Sequence, residues 1–390
     1  MPSAGLLSLP LELLDEVTDY IAASPQEILT LRCVNKALCS LVTPAAFRKI
    51  VVHTTDESAQ GFLGLLVSTD IAKHVRVIQI VEDPVLFDSE TERDEDERFK
   101  RVGIRLRGVC FILHLIPSLE SLITFFPDED ASLKDPFSYN DDPTRYHFFQ
   151  RDLLGGLACN PNPLPALRSL QIQVDNWFAY PDDLYVAAPF QRIVASLRDL
   201  RFLVQDTDYK SDLDHFPAED FWPDVIWHRV LRPAVNLESL SMSCSLEFGS
   251  LIRLDLGSVT FPQLSSLSLS NLVWDDVRVD PQVVALEAED FIVRHGKTLK
   301  KLELQSCTIC VPRDRPTLVR SWAAVWSWFA DELTELVDLV VEYNFNQRYI
   351  CFLQEYGFDS NSDTAALEAL VMIVKGGKRG GVTSCDGDWG

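Results

Sequence analysis

One pattern constrains this chain more than any other: an apolar triad spaced Leu-x-x-Leu-x-Leu, met eight times between residues 75 and 341. The triads are Val75/Ile78/Ile80, Leu119/Leu122/Thr124, Leu167/Leu170/Ile172, Leu197/Leu200/Phe202, Leu237/Leu240/Met242, Leu264/Leu267/Leu269, Leu299/Leu302/Leu304 and Leu336/Leu339/Val341. Residues two apart in a strand face the same side, so each triad predicts a strand with one buried face. Thr124 alone breaks the apolar rule. First members follow one another at 44, 48, 30, 40, 27, 35 and 37 residues, so the array is irregular and holds insertions.

Self-similarity of this kind signals stacked units, none of which buries its apolar face alone. Runs of helical character separate the triads, at 99–116, 183–196, 222–234, 281–295 and 317–333. Strand followed by helix, repeated, predicts an α/β fold: an irregular leucine-rich-repeat solenoid over residues 73–375, with parallel strands inside and helices outside. In the last run Trp322, Trp326, Phe329 and Leu333 form one helical stripe, which reads as repeat core rather than as a ligand box.

If triad side chains point into the core, the residues between and just after them line the concave face. These are Gln171, Gln173, Arg201, Ser241, Ser243, Ser268, Ser270, Glu303, Gln305 and Glu342. Small and polar, they suit the binding of a protein and contain no evident catalytic set.

Segments near 82–97, 128–150 and 206–224 are rich in Asp and Glu, contain Pro84, Pro136, Pro143 and Pro217, and read as solvated insertions. Most of the formal charge of −23 sits in them. Without clustered Lys and Arg the chain has no surface for phosphate backbones, which argues against nucleic acid. The glycine-rich stretch 376–390 reads as a flexible tail.

Residues 1–50 read differently, as a helical module joined to the repeats by a connecting segment at 51–72. Pro10 suits a first helical position, with Leu14, Val17 and Ile21 following on one stripe. Ser24 and Glu27 have capping-box spacing around Pro25. Ile28, Leu31, Val34, Leu38, Leu41 and Val42 continue a second stripe, and Thr43-Pro44 signals a third helix start. Fewer than 50 residues bury too little of this surface alone, so the next domain or a partner has to cover it.

The order Leu9-Pro10-x-Glu12-Leu13-Leu14-x-x-Val17, then Val34-x-Lys36-x-Leu38-x-x-Leu41-Val42, then Pro44-x-x-Phe47-Arg48-x-Ile50, resembles the F-box, especially forms found in fungal proteins. Asn35, Lys36, Ala37 and Leu38 stand where many F-boxes have Cys-Arg-x-Trp. The resemblance implies a three-helix module that inserts into a Skp-type adaptor and, through it, reaches a cullin. Carried over by position, the contact set is Leu9, Pro10, Leu13, Leu14, Val17, Ile21, Leu29, Val34 and Leu38.

Other chemistries find little support in the residues. Cys307-Thr-Ile-Cys310 lacks the second pair of a closed zinc site. Cys307 instead falls on the Asn/Cys position of the repeat counted from Leu299, with Ile309 on the next apolar one. Gly296-Lys297-Thr298 has Phe291 where a phosphate loop needs glycine. The seven histidines show no ligand spacing, and no metal or cofactor is expected. Nine scattered cysteines fit a reducing compartment, cytosol or nucleus, and neither a signal peptide nor a membrane span is expected.

The expectation is a non-catalytic, substrate-recruiting subunit of a Skp–cullin–F-box ubiquitin ligase. Its alternatives are an F-box-containing interaction protein outside ubiquitination, and a hydrolase with a site hidden in the solenoid.

Overall fold

The computed structural model describes Leu13, Glu16, Val17 and Tyr20, and then residues 24–81, 92–125, 144–162, 164–175, 184, 186–205, 228–244, 259–270, 273–274, 287–309, 321–342 and 360–376. It is an α/β protein whose nine main strands form one parallel sheet in chain order: β1 (Lys49–His53), β2 (Val77–Val81), β3 (Ser121–Phe125), β4 (Ser169–Asp175), β5 (Asp199–Gln205), β6 (Ser239–Cys244), β7 (Ser266–Ser270), β8 (Lys301–Gln305) and β9 (Asp338–Glu342). Parallel neighbours need a crossover, and helices supply several of them. No helix among the described residues is long and apolar enough to cross a membrane.

The second and third members of every triad fall on a strand, and the first lies two residues before it. Leu240, Leu267, Leu302 and Leu339 stand side by side across β6 to β9, and Met242, Leu269, Leu304 and Val341 make the next row. All members of the eight triads are buried, Thr124 included, except Val341, which is half-buried. Fully burying a Leu side chain stabilises by roughly 1.5–3 kcal/mol, so these rows are the main source of cohesion.

A backbone rung accompanies each triad. The Glu238 carbonyl accepts from the N–H groups of Ser265 and Ser266, Ser265 accepts from Lys300 and Lys301, and Lys300 accepts from Val337 and Asp338, all at 2.8–3.1 Å. Arg48, Arg76, Glu120 and Arg198 play the same part in earlier strands. A tight turn precedes each first triad residue, and Ala72, Ile116, Leu164, Val194, Ala234, Phe261 and Leu333, three positions upstream, are buried in it. That fourth repeat position was legible in the sequence and is absent from the six-residue template.

The sheet also begins one strand earlier than the triads predict. Phe47, Ile50 and Val52 have triad spacing, and β1 pairs with β2 from Lys49↔Val77 to His53↔Val81. Residues expected as a connector thus hold most of β1, then α3 (Asp56–Val67), capped by Thr55 Oγ1, which accepts from Ser58 N–H at 3.2 Å.

At the N-terminal side, Leu13, Glu16, Val17 and Tyr20 are helical, followed by α1 (Pro25–Arg32) and α2 (Lys36–Ala46). Two local signals resolve differently from their sequence reading. Ser24 precedes Pro25 as expected but makes no side-chain cap bond. Pro44 opens no helix and lies in the last turn of α2, because α2 already starts at Asn35, whose Oδ1 accepts from Leu38 N–H at 2.9 Å.

The chain divides into two compact units, Met1–Leu170 and Gln171–Gly390. In the first, α4 (Glu92–Phe111) packs on α5 (Thr144–Ala158). A Cβ on Gly156 would lie 2.5 Å from the Arg107 carbonyl, so only glycine permits this approach. Both helices extend into stretches read as acidic insertions: residues 92–97 are helical, and 144–150 begin α5. Residues 82–91, 126–143, 206–224 and 377–390 lie outside the described set.

In the second unit α6 (Ala188–Ser196), α7 (Glu287–Arg294) and α8 (Trp322–Glu332) fall inside the predicted helical runs. The run expected at 222–234 is described from residue 228, where it forms a π-helical turn. Trp322 and Trp326 stack at 4.8 Å within the core, as their stripe predicts. An unpredicted helix, α9 (Ser360–Gly376), packs on α8, where buried Asp363 accepts from Ala323 N–H at the start of α8.

His295 ties this unit together. Its Nδ1–H donates to the Phe291 carbonyl at 2.7 Å, while Phe261 N–H donates to Nε2 at 2.9 Å. Burial first, opposed by the bond to Phe291 and aided by Arg294, holds its pKa below the ordinary 6.5. The neutral ring is therefore the one that fits. A histidine with a depressed folded pKa stabilises above its unfolded value and loses that contribution as pH falls.

Leu302→Asp places an unpaired charge in the central row and is expected to cost at least about 3 kcal/mol, whereas Ser268→Asp on the alternate face leaves the melting temperature within a few degrees; equal melting of the two would mean the register is wrong. The melting temperature is also expected to fall between about pH 7 and pH 5, and His295→Asn is expected to lower it at pH 7 and flatten part of that dependence; parallel profiles would contradict the role given to His295.

Candidate functional site

Two surfaces have the properties that the sequence reading assigned to binding. The first lies on the N-terminal helices. Arg32 joins α1 to α2 through Nε, which donates to Thr43 Oγ1 at 3.1 Å, and through its guanidinium, 4.8 Å from the centre of the Phe47 ring. Thr43 Oγ1 in turn donates to the Cys39 carbonyl. Ile28, Leu38 and Val42 are buried.

That seam divides the expected adaptor contacts. Leu13, Leu29 and Val34 are 44%, 43% and 63% exposed, and Val17 is half-buried. Leu38 is only 4% exposed and belongs to the core, which corrects its assignment as a contact: the Asn35 cap starts α2 so that Leu38 turns inward with Val42, one helical turn on. Leu9, Pro10, Leu14 and Ile21 lie outside the described residues. Tyr20, 86% exposed and left out of the sequence-derived set, joins the group of open large side chains.

The clasped pair of short helices leaves Leu29, on α1, and Val34, in the turn that follows it, in water. Exposed apolar side chains are ordinary singly and informative when grouped. Here they flank the α1–α2 junction within six residues of one another.

The second surface is the face of β5 to β9 opposite the leucine rows. The register sets Arg201, Ser241, Ser268, Glu303 and Val340 in one line, and Leu203, Ser243, Ser270, Gln305 and Glu342 in the next. Eight of the ten expected residues therefore meet on two adjacent lines, with Gln305 and Glu342 side by side. Gln171 is half-buried on β4, and the side chain of Gln173 is outside the described set.

A third line, Asp199, Ser239, Ser266, Lys301 and Asp338, completes the face. Sequence reasoning missed it, although it occupies a fixed place in the template, one residue before each second triad member. Six serines thus form a two-by-three block at the centre. Its two cations are matched by acids on the same face: Arg201 Nε lies 3.4 Å from Asp199 Oδ2, Lys301 Nζ lies 3.5 Å from Glu303 Oε2, and Gln305 Nε2 donates to Glu303 Oε1 at 2.8 Å.

A face of hydroxyls whose cations are already paired can hydrogen-bond a polypeptide without burying an unpaired cation. No described histidine stands on these three lines. Cys307, past the end of β8, has its thiol 3.4 Å from the Leu269 carbonyl of the neighbouring strand, in the ladder position the repeat assigns to it. Ser306 before it takes a positive φ of 50° and donates its N–H to the Glu342 carbonyl.

The division between contact and core is testable by stability alone. Leu29→Ser with Val34→Ser is expected to leave the melting temperature within about 2 °C, since surface changes stay near ±0.5 kcal/mol, while Leu38→Ala is expected to cost about 2–4 kcal/mol; a large loss in the double variant would place those side chains inside. No family model matches the chain, and no curated protein matches its sequence.

Proposed function

We propose that this chain recruits substrates to a Skp–cullin–F-box ubiquitin ligase. Its N-terminal helices hold a Skp-type adaptor, which bridges to a cullin. The strands form a leucine-rich-repeat-like solenoid, and its serine-centred sheet face holds a protein substrate. The observation that carries this reading is the exposure of Leu29 and Val34 beside a buried helical seam, within a segment that resembles the F-box.

The mechanism is proximity. Holding a substrate close to a ubiquitin-charged enzyme raises the local concentration of its lysines, so the chain adds no catalytic group of its own. Cytosol or nucleus is the compartment in which such an assembly works.

A second reading rests on Leu38. Many F-boxes have an aromatic anchor there, and here the position is filled by a core leucine. An adaptor contact without that anchor suits an F-box-containing interaction protein that serves assembly outside ubiquitination.

Affinity purification separates these readings. The wild-type chain is expected to retain both a Skp-type adaptor and a cullin, and Leu29→Asp with Val34→Asp to lose both by at least about tenfold, as burying unpaired charge at an interface costs more than 1.4 kcal/mol. Adaptor without cullin supports the second reading; undiminished capture by the double variant refutes the contact surface.

A further inference from the structure

The edge strand β1 combines two features that neither surface above uses. Along one strand of a parallel pair, residues alternately turn their N–H and C=O toward the neighbour and away from it. The Arg48 carbonyl accepts from Arg76 and Val77 N–H, and Thr54 N–H donates to the Val81 carbonyl at 3.0 Å. With the register of β1 on β2, residues 48, 50, 52 and 54 face β2. Lys49, Val51 and His53 therefore turn their backbone groups outward.

Ser58 Oγ accepts from His53 N–H at 2.9 Å and closes that end of the edge. The N–H groups of Lys49 and Val51 remain. Among the described residues none bonds them on the outer side, and both residues are exposed, Val51 by 42%.

Positive charge collects at the same end of the first unit. Arg48, Lys49, Lys73, Arg76 and Arg168 stand at or just before the starts of β1, β2 and β4. The two acids among them are taken: Asp70 pairs with Lys73 at 3.2 Å and Glu120 with Arg76 at 2.9 Å. Arg48 and Lys49 have no ion pair among the described residues. Arg48 and Arg76 sit about 4.8 Å apart along the backbone, and like charges so placed repel. Burial, then Lys73 and Arg76, also keep His74 below its ordinary pKa.

A lysine on an edge strand deters pairing with neutral strands. It attracts acidic ones. We infer that β1 is a docking edge for an extended acidic segment of another polypeptide, which adds beside β1 through the backbones of Lys49 and Val51 and neutralises Arg48 and Lys49. The outward donors call for a strand, and the unpaired cations, in a chain of net charge −23, call for carboxylates.

Fluorescence anisotropy on the full chain tests this with a labelled decapeptide alternating Val and Glu, and its Val and Gln counterpart. The Glu peptide is expected to bind about tenfold tighter than the Gln one at low salt and to lose that advantage at about 0.5 M salt. Arg48→Glu with Lys49→Glu is expected to lower affinity about tenfold. Val51→Pro deletes an outward donor while sparing the bonds to β2, and is expected to weaken binding similarly; should it lower the melting temperature, the charge variant alone decides. The adaptor variant with Leu29 and Val34 changed to Asp is expected to bind the peptide unchanged, so the two surfaces fail or stand separately. No binding of the Glu peptide, equal binding of both peptides, or unaltered affinity in the charge variant overturns the inference.

Discussion

The row of Leu240, Leu267, Leu302 and Leu339 is the constraint on which the rest depends. A parallel strand cannot turn back on itself, so each leucine reaches its neighbour only after a crossover. Once the rows are fixed, the alternate positions must face the other way, which is why the serines and matched charges share one face. The bifurcated carbonyl rungs lock the same register through the backbone, so side-chain pattern and hydrogen bonding agree at every step.

The repeat was legible because it is written in three spaced apolar residues, a signal independent of loop length. Even Thr124, the one polar member, is buried in its expected place. The first strand was hidden by competition between motifs: Phe47 and Ile50 belong equally to the end of the F-box-like segment and to a triad with Val52. α5 and α9 escaped for a different reason. Acidic residues and prolines upstream of Thr144 read as loop, and the stretch before Ser360 gave no repeat to follow.

At the N-terminal helices the sequence told which residues are apolar and not which of them meet. A stripe at helical spacing includes both Leu38, which closes the α1–α2 seam, and Val34, which the turn leaves in water. Asn35 decides between them by capping α2, a choice that depends on where the first helix stops. On the sheet face the reverse holds: eight of the ten expected polar positions fall on two lines because a strand has a period of two and a register fixed by its buried side. The two surfaces differ in kind, one apolar and suited to helix packing, the other polar and suited to an extended chain.

The central claim is that the surface flanking the α1–α2 turn is completed by a second polypeptide. Hydrogen exchange of the intact chain with and without a Skp-type adaptor tests it most directly. The account predicts slower exchange across residues 25–46 when the adaptor is added, with the amides of β6 to β8 unaltered. Identical exchange of residues 25–46 in both conditions, at adaptor concentrations well above those of the chain, would contradict it.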